Sequence, residues 1–174
     1  MRWRDRLWDV LDDLEQQAEG LALAARDAEV AELSRAEYAR VDLSARLHGS
    51  LGRRLTLGVR GVAALDGVLS GVGAGWVLVE VGAAEWVVPL AGVVSLRGLA
   101  ERSVPVEARP ITARLGLASA LRRVAEERAE VLLHRVDGSL DRGVLTRVGA
   151  DFVELWVRDT EVVPFSALAG VRSS

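Results

Sequence analysis

The chain contains the segment Gly67-Val68-Leu69-Ser70-Gly71-Val72-Gly73-Ala74-Gly75-Trp76-Val77-Leu78-Val79, and a second version of this segment follows later. The second version is Gly143-Val144-Leu145-Thr146-Arg147-Val148-Gly149-Ala150-Asp151-Phe152-Val153-Glu154-Leu155, in which seven of thirteen positions are identical to the first. After one residue of slippage, Val87-Val88-Pro89 aligns with Val162-Val163-Pro164, and Arg97 aligns with Arg172. Such collinear agreement indicates an internal duplication.

Each copy has the pattern of short β-strands. Residues 55–60 alternate between apolar and other side chains, and glycines or turn pairs such as Asp137-Gly138 separate the β-branched runs. Gly67 and Gly143 lie just inside the second strand of their copies, where a missing side chain permits a sharp bend or bulge. About five strands are predicted for each copy.

The first 48 residues predict one long amphipathic helix with a heptad seam, and pairs such as Asp42–Arg46 have helical spacing. The seam consists of Trp3, Leu7, Leu11, Leu14, Ala18, Leu21, Ala25 and Ala28. Two interpretations remain open for it: packing on the β-repeats of the same chain, or self-association as a coiled coil. A helix lying on a membrane surface is disfavoured, because the polar face is acidic.

These patterns together predict an α+β protein. The predicted segments are a helix over residues 1–48, a β-repeat over 52–98, a linker over 99–111, a short helix over 112–129 and a second β-repeat over 130–173. A repeat of about 45 residues is too small to bury a sufficient core alone. We therefore expect the repeats to pack on each other, on the helix or on a second subunit.

A helix followed by five short, strongly bent strands resembles the Sm-like and SH3-like small barrels. Gly67-Val68-Leu69 and Gly143-Val144-Leu145 match the Gly-x-Leu strand of Sm proteins, and Leu96-Arg97-Gly98 loosely matches their Ile/Val-Arg-Gly ending. The resemblance implies two tandem five-stranded small β-barrels. It does not extend to the RNA-contacting Asp and Asn of Sm proteins, whose places fall near Gly73 and Val77 and near Gly149 and Val153. The whole chain also resembles an uncharacterised group of proteins from high-GC actinobacteria.

The composition and charge of the chain exclude some kinds of site and disfavour others. The chain has no cysteine, which excludes disulfides and zinc–thiolate sites and favours a cytoplasmic location. A net charge of −3 argues against a surface that binds nucleic acid throughout. The apolar stretch from Trp76 to Leu96 is interrupted by Glu80, Glu85 and Pro89, so we expect buried strands and no membrane insertion.

No constellation for catalysis or metal binding is evident. His48 and His134 have no clustered carboxylates near them in sequence, and Gly71 to Trp76 lacks the Lys-Ser/Thr of a phosphate-binding loop. No serine lies in a nucleophile elbow. We therefore expect no enzyme activity, no cofactor and no metal.

Two functions are compatible with these features. The first is a non-enzymatic cytoplasmic interaction or scaffold protein, which assembles through its helix and paired barrels as a homodimer or with an unidentified protein partner. The alternative is a regulator that binds RNA or DNA, for which basic and aromatic side chains would have to converge on one surface. The candidates for that surface are Arg53, Arg54, Arg60, Arg97, Arg122, Arg123, Arg128, Arg142, Arg147, Trp156, Arg158 and Arg172.

Overall fold

A computed structural model of the chain describes residues 19–21, 23 and 26–174. The chain divides into two units, with the boundary between Val41 and Asp42. In the first unit, residues 19–21 and 23 are helical, and helix α1 spans residues 26–38. Residues 1–18, 22, 24 and 25 of the predicted N-terminal helix lie outside the described residues.

The prediction of one helix extending to residue 48 is wrong. Helix α1 ends at residue 38, and a separate helix, α2, spans Leu43–His48. Asp42 has an extended backbone, and its carboxylate accepts a hydrogen bond from the backbone N–H of Ala45, so it is the N-cap of α2. The Asp42–Arg46 spacing is therefore that of a cap and the helix it starts, and periodicity alone does not distinguish this from one uninterrupted helix.

The second unit contains α2, a third helix and ten strands. Helix α3 spans Leu117–Glu126. The strands are β1 (Arg54–Val59), β2 (Leu65–Gly73), β3 (Trp76–Val81), β4 (Ala84–Pro89), β5 (Val93–Arg97), β6 (Glu130–Arg135), β7 (Leu140–Val148), β8 (Phe152–Trp156), β9 (Thr160–Pro164) and β10 (Leu168–Ser173). Strands β1 to β5 come from the first copy of the repeat, and β6 to β10 come from the second.

The ten strands form a single antiparallel sheet in the order β5-β1-β2-β3-β4-β10-β6-β7-β8-β9. The prediction of two five-stranded barrels is therefore wrong. Strands β4 and β10 pair with Val87 opposite Val171 and Trp86 opposite Arg172, so that the ladder continues from the first copy into the second. Pairing between strands so far apart in the chain leaves no mark on local hydrophobic periodicity, which is why the sequence did not predict it.

Both copies bend their second strand at the same place. The register of β2 against β3 shifts between Leu69 and Gly71, and that of β7 against β8 shifts between Leu145 and Arg147.

An added Cβ at Gly67 would overlap the carbonyl oxygen of Glu80, which lies on the neighbouring strand. Glycine is required there because the two backbones approach so closely.

The β4–β10 pairing lies between two hydrophobic cores. Successive residues of a strand point to opposite faces of the sheet. Trp86 and Val88 of β4 accordingly belong to the first core, whereas Val87 belongs to the second. From β10, Ala169 belongs to the first core and Val171 to the second, because a register shift against β6 between Leu168 and Gly170 interrupts the alternation at Ala169. Each copy of the repeat thus completes the core of the other.

We predict that Gly67→Ala destabilises the protein by about 1–3 kcal/mol, because the new methyl group has to displace the backbone of β3. Urea unfolding followed by circular dichroism measures this difference. Gly92→Ala is the matched control, since a Cβ at Gly92 would meet its nearest neighbours at an ordinary 3.8 Å. Equal unfolding midpoints for Gly67→Ala and the unsubstituted protein would contradict the close approach.

Candidate interaction surfaces

A groove of about 740 Å³ lies between helix α3 and the β4–β10 junction. Both copies of the repeat contribute to its walls, which are mainly apolar. The apolar lining residues are Trp76, Leu78, Val87, Leu115, Ala120, Val124, Ala129, Val131 and Val171. The side chains that face the groove from α3 are small at Ser119 and Ala120, so the helix leaves space above the sheet unfilled.

The indole of Trp76 is held in place at one end of this groove. Its Nε1 donates a hydrogen bond of 2.8 Å to the carbonyl oxygen of Leu115, and the backbone N–H of Ala74 donates to the same oxygen at 2.9 Å. Leu115 precedes α3 by two residues, so these bonds attach the turn between β2 and β3 to the start of the helix. A single carbonyl thus connects the two walls of the groove.

Acidic side chains predominate at the rim of the groove. Glu130 is paired with Arg142 at 3.3 Å, and the one lining cation, Arg123, is paired with Glu126 at 2.9 Å. The remaining two lining carboxylates, Glu85 and Glu127, have no ion-pair partner among the described residues. The groove therefore combines apolar walls with unneutralised negative charge.

The two edge strands of the sheet, β5 and β9, form a second candidate surface. In the repeat, β9 is the counterpart of β4, and β5 is the counterpart of β10. Within the described chain, β5 pairs only with β1 and β9 pairs only with β8. The strands that pair at the centre of the sheet thus have counterparts at its two ends that lack a partner on their outer side within the described chain.

Exposure differs sharply between the centre and the ends. Val87 of β4 is 7% exposed, whereas its counterpart Val162 on β9 is 58% exposed. Ala169 of β10 is fully buried, whereas its counterpart Val94 on β5 is 64% exposed. Apolar side chains at these positions are therefore covered by the opposite copy in the centre and are uncovered at both ends.

The charges on the two edges are of opposite sign. The pair Trp86 opposite Arg172 at the centre corresponds to Glu161 on β9 and Arg97 on β5. Arg97 is exposed. Glu161 lies beside Arg135, whose guanidinium also contacts Asp141 at 2.6 Å.

The arginines proposed for nucleic-acid binding do not form a free basic surface. Four of them are neutralised by acidic neighbours: Arg54 by Asp66, Arg123 by Glu126, Arg142 by Glu130 and Arg147 by Glu154. The others are spread over several elements: Arg53 and Arg60 flank β1, Arg97 ends β5, Arg122 lies on α3, Arg128 follows α3, Arg158 follows β8 and Arg172 lies on β10. Trp156 is 53% exposed at the end of β8.

One of these ion pairs occurs in both copies with its charges exchanged. Arg54 on β1 pairs with Asp66 on β2, and at the corresponding positions Glu130 on β6 pairs with Arg142 on β7. Both copies thus carry a neutral ion pair at this position. The arginine lies on the first strand of the first copy and on the second strand of the second copy. Neutral cross-strand pairs stabilise a sheet, whereas phosphate binding requires uncompensated positive charge.

Only Leu21 and Ala28 of the predicted helix seam lie on described residues, both of them helical. The other six seam positions, Trp3, Leu7, Leu11, Leu14, Ala18 and Ala25, lie outside the described residues. The coiled-coil interpretation therefore stays a prediction. The groove was not predictable from the sequence, because Ser119 and Ala120 are ordinary helix residues and their role depends on the opposing sheet.

His134 lies on β6 and stacks against Trp86, with 4.6 Å between the ring centres and 36° between the ring planes. Trp86 reaches it across β10 at Gly170, where an added Cβ would lie only 3.3 Å from the indole. Burial of the imidazole, together with the nearby charge of Arg172, lowers the pKa of His134 below its ordinary value of 6.5. Contact with the first copy therefore favours neutral His134.

We predict that the protein loses stability on acidification between about pH 7 and pH 5, in part through His134. Since the folded-state pKa of His134 is lowered, the unfolded chain binds more protons once the pH falls below 6.5, and folding becomes less favourable. Urea unfolding at several pH values measures the slope. His134→Gln is expected to flatten it, and parallel profiles for the two proteins would count against the assignment.

The described part of the chain offers no metal site and no membrane-spanning helix. No three His, Asp or Glu side chains there are placed to hold a metal ion. None of the helices in that part is long and apolar enough to cross a membrane. No protein-family model matches the chain, and no curated protein matches it either.

Proposed function

We propose that this chain is a non-enzymatic cytoplasmic interaction protein that assembles with copies of itself through the edge strands β5 and β9. The observation that carries this proposal is the β4–β10 pairing, because β9 and β5 are the repeat counterparts of those two strands. An edge strand offers unpaired backbone N–H and C=O groups to any strand of compatible shape. The absence of cysteine supports a reducing cytoplasm as the setting.

The internal pairing also defines a register for the assembly. Val87 opposite Val171 corresponds to Val162 of one chain opposite Leu96 of the next, and Trp86 opposite Arg172 corresponds to Glu161 opposite Arg97. The first pair would bury apolar surface that is exposed in the single chain. The second would place opposite charges side by side, which favours this register over one in which like charges meet.

Contact between β5 and β9 is heterologous, since the two surfaces differ. Repetition of such a contact gives a closed ring if the rotation per chain closes, and an open filament if it does not. The proline of β9 does not prevent pairing, because Pro89 occupies the same position in β4 and β4 still pairs with β10. The mode of assembly is thus one that this sheet already contains once.

We predict that the unsubstituted protein forms oligomers and that Val162→Lys weakens the association by about tenfold or more, because the interface would have to desolvate a charge in place of an apolar side chain. Sedimentation velocity over a range of concentrations measures the change. The matched control is Val106→Lys, since Val106 is also 58% exposed but lies in the connection between the copies.

A second variant, Arg97→Glu, tests the charge pair, because it would place Glu opposite Glu161 in the proposed register. We expect it to weaken association more at low salt than at high salt. Arg122→Glu provides a control with the same change of charge on the exposed face of α3. A protein that is monomeric at every concentration, or that associates equally well with Val162→Lys, would overturn edge assembly.

A further inference from the structure

We propose that the groove between α3 and the β4–β10 junction binds a small cationic amphiphile, a hydrophobic body that carries a protonated amine or quaternary ammonium group. This site is independent of the proposed edge assembly, because none of its lining residues lies on β5 or β9. It takes its walls from both copies and therefore exists only because the copies are joined through β4 and β10.

The dimensions and chemistry of the walls fit the hydrophobic body. A volume of about 740 Å³ falls within the range of pockets that bind small organic ligands. Leu78 and Val87 form the floor from the first copy, and Val131 and Val171 extend it from the second. Helix α3 covers this floor with Ala120 and Val124, so the space between the layers is bounded mainly by hydrocarbon.

The walls of the groove are also held in place, so a ligand could bind without a large rearrangement of them. The Nε1 of Trp76 is bonded to the carbonyl oxygen of Leu115, which fixes the indole plane at one end. Leu121, on the same helix, is fully buried in the second core and holds α3 on the sheet. Because the walls are fixed in the empty protein, a ligand would lose little affinity in ordering them.

Charge determines which head group the site prefers. Four charged residues line the groove. Arg123 and Glu130 are already paired, and the other two, Glu85 and Glu127, are carboxylates without an ion-pair partner among the described residues. A cation at the rim would be attracted to both carboxylates, which lie toward the end of the groove away from Trp76. An anionic head group would be repelled.

The test uses the full-length protein and three decyl amphiphiles below their micelle concentrations: decyltrimethylammonium, decyl maltoside and decyl sulfate. Isothermal titration calorimetry measures binding to each. We expect one molecule of the cation to bind per chain, about tenfold more tightly than the maltoside at low salt, with decyl sulfate the weakest. The preference for the cation should decrease as salt is added.

Two sets of variants locate the site. Ala120→Leu narrows the groove and is expected to weaken the binding of the amphiphiles, whereas Ala118→Leu, on the same helix but away from the groove, should leave it unchanged. Glu85→Gln combined with Glu127→Gln should make the cation bind no more tightly than the maltoside and leave maltoside binding unchanged. These two substitutions are at the rim, so the charge test does not depend on the folding of Ala120→Leu.

The proposal is overturned if none of the three amphiphiles binds, if Ala120→Leu is folded and binds as tightly as the unsubstituted protein, or if decyl sulfate binds as tightly as the cation. Equal loss of all binding in the double Gln variant would also overturn it, because rim carboxylates should affect only the charged head group.

Discussion

The pairing of β4 with β10 is the interaction on which the rest of the structure depends. Only two residue pairs define it, Val87 with Val171 and Trp86 with Arg172, yet it makes one sheet out of two duplicated halves. Because both faces of β4 are buried, the loss of this pairing would expose apolar residues in two cores at once. The small size of each half makes that mutual burial necessary.

The same pairing produces the features that could bind a partner. It places the walls of the groove beside each other, and it leaves β5 and β9 as the two ends of the sheet. It also brings Trp86 over Gly170 to His134, so that the charge state of one imidazole is coupled to contact between the copies. The proposed assembly, the proposed ligand site and the expected response to pH thus share one structural origin.

The sequence predicted those parts of the structure that depend on local chemistry. The duplicated Gly67 and Gly143 identify where each second strand approaches its neighbour, since only glycine fits there. Strand pairing between the copies was not predictable, because Val87 and Val171 look like any other apolar strand residues. The groove was not predictable for the same reason: Ala120 acquires its role from the distance to a sheet that the sequence does not specify.

Divergence between the copies bears on whether assembly is obligatory. In the first copy, Val59, Leu65 and Trp86 are buried near the covered strand β4. Their counterparts in the second copy are Arg135, Asp141 and Glu161, which form an ion cluster near the uncovered strand β9. Water can solvate a partly exposed ion cluster, whereas three apolar side chains at these positions would have to be shielded from water by a neighbouring strand. Water can therefore solvate this cluster while β9 lacks an outer partner, and the proposed edge pairing would add to a fold that does not need it. Such an arrangement favours reversible assembly whose strength varies with concentration and salt.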